Sequence, residues 1–106
     1  MRAVGILEFH CNGLQWIRAG NISLSGETLD AVIGAGQNDG ANRRYFGRRM
    51  PNGVGEATFE GESWQVATVA DIGGLVSQVR VGDARGDGIN RVYASSPAGL
   101  YELTHQ

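Results

Sequence analysis

Short stretches of alternating apolar and polar residues, separated by turn-forming residues, run the length of the chain. Leu29, Ala31 and Ile33 fall on one side of an extended segment at a period of two, and Val79 and Val81 do the same further on. The segment 6–11 alternates loosely and runs into Asn12-Gly13, a hairpin-forming dipeptide. Asp39-Gly40 and Asp87-Gly88 are turn signals of the same kind. The pattern predicts strands at 6–11, 15–19, 29–34 and 42–47, then at 54–59, 63–69, 77–82 and 90–95. Seventeen glycines against two prolines strengthen the prediction. Glycine costs about 1 kcal/mol in a helix interior relative to alanine, whereas tight turns use its positive φ. The expected fold class is all-β.

The chain also contains itself. Trp16 and Trp64 are 48 apart (64 − 16 = 48), and sliding the chain by that offset aligns residues 5–47 with 53–95 without a gap. Gly5 meets Gly53, Glu8 meets Glu56, Gly34 meets Gly82, Asp39 meets Asp87, Asn42 meets Asn90, Arg43 meets Arg91 and Tyr45 meets Tyr93. The longest shared pattern is Asp-Gly-x-Asn-Arg-x-Tyr. A third partial copy closes the chain, where Gly99-Leu100-Tyr101-Glu102 matches Gly5-Ile6-Leu7-Glu8. The 106 residues read as a single domain with one repeat over 5–52, a second over 53–98 and the start of a third, a closing strand, at 99–106.

A unit of this length holding four short antiparallel strands is the signature of a β-propeller blade. The stretch Val81-Gly82-Asp83-Ala84-Arg85-Gly86-Asp87-Gly88-Ile89-Asn90-Arg91-Val92-Tyr93-Ala94 resembles the blade motif of bacterial and environmental propellers with tandem integrin-like or WD40-like repeats. The resemblance implies two four-stranded blades plus one extra strand. Two blades alone leave apolar outer faces uncovered, so the expected partner is the chain itself, joined head to tail in a closed ring. Three copies would give six blades and four copies eight. The other reading is a piece of a longer propeller.

Charge and composition narrow the function. Acidic residues number eleven and basic ones nine, all arginine, for a net charge of −2, which argues against a nucleic-acid surface. No apolar run approaches the roughly 20 residues of a membrane span. Glu8 interrupts the opening apolar segment too early for a signal peptide, so a soluble chain of undetermined compartment is expected. Cys11 is the only cysteine, so no intrachain disulfide can form.

The candidate site residues each carry a structural and a functional reading. Asp83 and Asp87 invite calcium, but Arg85 stands where a third carboxylate is needed, and Ala35 and Gln37 break the pattern in the first repeat. The structural reading has Asp39-Gly40 and Asp87-Gly88 forming Asx-type turns, with Arg85 satisfying Asp83. Trp16 and Trp64 suit sugar stacking, or packing between blades. Arg43, Arg91, Asn42 and Asn90 suit a polar surface for an anion or sugar; otherwise each arginine bridges neighbouring blades, through carbonyls or Glu8 and Glu56. Glutamate recurs three times, at Glu8, Glu56 and Glu102, which speaks for a structural role in each repeat. His10 and His105 lack the carboxylate support of a metal site. No nucleophile–base pair emerges, and no cofactor is expected. The function expected is a non-enzymatic structural or recognition scaffold; the alternative is a lectin-like module binding a glycan between blades.

Overall fold

The structure, a computed structural model, describes residues 5–23, 28–49, 52–72 and 74–105. Among the described residues there is no helix, and nine strands form three antiparallel sheets. β1 (Gly5–Cys11) pairs with β2 (Trp16–Ser23) in the first sheet. The second sheet runs in order through β3 (Thr28–Gly34), β4 (Arg43–Arg48), β5 (Gly53–Glu60) and β6 (Ser63–Ala70). The third holds β7 (Gln78–Gly82), β8 (Arg91–Ser96) and β9 (Gly99–Leu103). No helix of the described chain is long and apolar enough to cross a membrane.

The strand number matches the expectation of eight plus one, but the grouping is two, four and three in place of four, four and one. The second sheet takes two strands from each repeat, so the sheet boundaries cut across the repeat boundaries. A sequence period fixes the spacing of equivalent strands and leaves open where one sheet ends. Segment length does not resolve it either. β3 and β4 share a sheet while β6 and β7 do not, although the sequence separations between the strands of each pair are similar.

Local chemistry explains the tight turns. Asn12 Oδ1 accepts hydrogen bonds from the N–H groups of Leu14 and Gln15, at 2.9 and 3.0 Å, closing the β1–β2 loop. Gly61, at φ +64°, turns β5 into β6 across the pair Glu60–Ser63.

The sheets stack face to face. The larger core lies between the second and third, where Tyr45 and Val54 meet Val76, Val79, Val92 and Ala94. Gly34 and Gly47 let the sheets approach: a Cβ on Gly34 would fall 2.7 Å from Val81 and one on Gly47 2.8 Å from the Val76 carbonyl oxygen. The opposite face of the second sheet carries a smaller cluster of Phe46 and Ala57, packed with Ile6, Trp64 and Val66. Phe46 lies flat over Gly55, its cross-strand partner.

The alternation predicted in β3 is present, but the side that is covered differs. Val32 joins the larger core, while Leu29, Ala31 and Ile33 face outward, Ile33 at 63% exposure. Their face looks toward the first sheet, whose two described strands cover only part of it. In β7 the equivalent residues Val79 and Val81 are packed against the second sheet.

Candidate functional site

The repeated pattern builds the same hydrogen-bonded unit twice. In the second sheet Asp39 Oδ1 caps its own turn by accepting from Ala41 N–H at 3.1 Å. Both its oxygens take the Arg43 guanidinium at 2.8 Å, and Arg43 Nε reaches Thr58 on β5 at 3.1 Å. In the third sheet Asp87 accepts from Ile89 N–H at 3.1 Å and from Arg91 at 3.1 and 2.9 Å, while Arg91 Nε reaches Thr104. Gly40 and Gly88 sit at φ +80° and +81°, where any other residue type is strained. A fork of two parallel bonds between arginine and carboxylate fixes geometry as well as charge. Arg43, and then Ala41 N–H, hold the Asp39 carboxyl well below the usual range; Arg91 and Ile89 N–H bring Asp87 to about 2. These arginines therefore pin their own turn to their own sheet and do not bridge sheets. Two other arginines do: Arg44 pairs with Glu8 of the first sheet, and Arg80 of the third sheet pairs with Asp30 of the second.

A second unit links each glutamate to a tyrosine on the preceding strand. Tyr45 donates to Glu56 at 2.7 Å and Tyr93 to Glu102 at 3.0 Å, across the registered pairs Tyr45–Glu56 and Tyr93–Glu102. The turn supplies another donor in each case: Gln37 to Glu56 and Arg85 to Glu102. Arg85 therefore serves Glu102, not Asp83 as the sequence suggested. Asp83 is satisfied by the N–H groups of Asp87 and Gly88, at 3.0 and 2.8 Å. Burial, and then the bond to Glu56, push the Tyr45 hydroxyl up; Arg85 lowers the Glu102 carboxyl. Among the described residues no group of three or more His, Cys, Asp or Glu is placed to hold a metal ion, and the Asp83–Asp87 loop spends its oxygens on backbone amides and arginine.

The two asparagines part ways. Asn90 ties the third sheet to the second: its N–H donates to Asn38 Oδ1 at 2.7 Å, its carbonyl accepts from Asn38 Nδ2 at 3.0 Å, and its amide reaches the Ala35 carbonyl. Asn38 adopts φ +61°, which asparagine tolerates better than most residues. Asn42, the equivalent in the second sheet, is exposed. Asp30 adds a further tie by accepting from Val79 N–H at 2.9 Å and from Arg80 at 2.8 Å.

The tryptophans differ as well. Trp64 packs on the smaller core, tilts against Phe59 at 5.1 Å between ring centres, and carries the Arg44 guanidinium 4.2 Å above its ring. Trp16, its repeat equivalent on β2, is 72% exposed. The structure does not bring the two together, nor does it bring either to the main cleft. That cleft, of about 390 Å³, opens between the second and third sheets and is lined by Gln37, Tyr45, Glu56, Val69, Leu103 and His105 among others. The sequence pattern marks Tyr45, but only the strand register shows that it faces Glu56 and shares the cleft with Gln37. No family description, curated protein or solved structure matches the chain.

Proposed function

We propose that the chain is a non-enzymatic β-propeller assembly module, its sheets successive blades, and that copies of it join head to tail into a closed ring serving as a structural or recognition scaffold. The observation that carries this reading is the uncovered face of β3. Ala31 and Ile33 occupy the repeat positions of Val79 and Val81, and the latter pair is packed under a neighbouring sheet. At Gly82, equivalent to Gly34, a Cβ would meet no atom of the described residues within 4 Å, which is the space a β-branched neighbour would take. A sheet of another copy seated on β3, with Ile33 against its Gly82, repeats the contact that Val81 makes with Gly34. Each copy supplies one four-stranded sheet, and five further strands for a second. In the ring β1 and β9, which carry Glu8 and Glu102 at equivalent places, compete for one seat. Light scattering at micromolar concentration is expected to give about three or four chain masses. A single species of 11.3 kDa with a cooperative thermal transition would defeat the proposal.

The exposure of Trp16 favours a second reading, a lectin-like module in which this ring stacks on a sugar. Tryptophan fluorescence that shifts on adding a simple sugar, and stops doing so in Trp16→Ala, would support it; an unresponsive glycan array would count against it.

A further inference from the structure

The three equivalent glutamates are neutralised differently. Glu8 is paired with Arg44 and Glu102 with Arg85. Glu56, the most buried of them at 8% exposure, meets only neutral donors: the Gln37 amide at 2.9 and 3.0 Å and the Tyr45 hydroxyl at 2.7 Å. Gln37 stands where the other repeat has Arg85. Arg43 lies near enough for its charge to act on Glu56, but it donates no hydrogen bond there: its terminal nitrogens go to Asp39 and its Nε to Thr58. A buried carboxylate with no cation in hydrogen-bond contact is costly, and the cost is relieved by a charge brought into contact with it. A carboxylate offers roughly four acceptor sites. Three are used here, and the remaining one is on Oε1. Glu56 lines the cleft between the second and third sheets, whose apolar lining includes Val69, Val92 and Leu103.

We propose that this cleft binds a small organic cation, a primary alkylammonium with a short apolar arm, its ammonium on Glu56 and its arm against Val69, Val92 and Leu103. The site lies within one chain, so it stands or falls independently of ring closure. The probe is n-butylammonium chloride, titrated into the full chain and read by calorimetry and by the methyl NMR signals of the cleft. Saturable binding with a dissociation constant in the millimolar range is expected, with none for n-butanol or butyrate. Gln37→Arg gives Glu56 the counter-charge that Arg85 gives Glu102. This variant is expected to melt no lower than the parent and to bind about tenfold or more weakly. Glu56→Gln should lose affinity to the same degree, and Glu102→Gln should leave it unchanged. The proposal is overturned if the parent shows no saturable binding up to about 50 mM. It is equally overturned if butanol binds as well, or if Gln37→Arg and Glu56→Gln keep the parent's affinity.

Discussion

Two interfaces in this molecule use the same repeat positions and come out differently. Between the second and third sheets, Val79, Val81 and Val92 lie against Tyr45 and Val54, glycines allow close approach, and Asp30, Asn38 and Asn90 tie the backbones together. Between the first and second sheets the corresponding residues are Ala31, Ile33 and Arg44. Arg44 is drawn to Glu8 and Trp64, and Ile33 stays open to solvent. The contrast shows that the apolar alternation in a strand specifies a face to be covered, while coverage itself depends on how many strands the facing sheet brings. Two strands reach over Phe46 and Ala57 but only border β3, where Ile6, Glu8 and Phe9 leave a cleft beside Ala31 and Ile33.

The sharpest way to break this comparison is to fill equivalent glycines on either side of it. Gly34→Val drives a side chain into Val81 and should cost about 3 kcal/mol in urea unfolding, at the upper end of overpacking. A Cβ on Gly82 meets no atom of the described residues within 4 Å, and Gly82→Val should cost under about 0.5 kcal/mol in the dispersed protein. It should, however, lower the molar mass at micromolar concentration, because the new side chain occupies the place that the proposed ring gives to a neighbour's Ile33. Equal costs at the two positions would erase the distinction between a closed and an open interface.

A smaller effect separates the two tyrosines. Tyr45 is 2% exposed, and Tyr45→Phe leaves the buried Glu56 with Gln37 alone, at a cost of about 1–3 kcal/mol. Tyr93→Phe is expected to shift the melting temperature much less, since Glu102 keeps Arg85 and stands near water. A larger loss from Tyr93→Phe would mean that the third sheet's outer face is covered in solution.

The turn clamps give the mildest prediction, through pH. The folded-state pKa of Asp87 lies at about 2 against 3.8 for the free group, held there by Arg91 first and Ile89 N–H second. A depressed carboxyl contributes stability that is whole above its unfolded pKa and is lost as pH falls through the folded one. The melting temperature should therefore hold down to about pH 4 and fall between there and about pH 2. Asp39 adds to the fall in the same direction. Asp87→Asn should start lower at neutral pH and show a shallower decline; a profile parallel to the parent's would remove the clamp from the account.

Much of this was legible in the sequence, and the part that was not has a common cause. The offset of 48 located the equivalent strands, and the Asp-Gly-x-Asn-Arg-x-Tyr pattern marked residues that the structure uses in every position but one: Asn42 lacks the neighbour that Asn90 has in Asn38. Partners across strands stayed hidden. Arg43 looked free to reach another sheet, but its turn folds Asp39 back onto it within hydrogen-bond distance. The pairing of Tyr45 with Glu56 depends on the register between β4 and β5, which no periodicity specifies. Likewise, repeats fix which strands are alike and not which of them share a sheet, so the second sheet begins at β3 and not at β5, where the second repeat starts.

The central claim is that the open face of β3 is a seat for another sheet of the same design. Thiol labelling of Ile33→Cys in a Cys11→Ser background tests it directly, since Cys11 is exposed and would otherwise react. The labelling rate is expected to fall by about tenfold or more as protein concentration rises through the assembly range. A rate that matches an unprotected thiol at every concentration would contradict it.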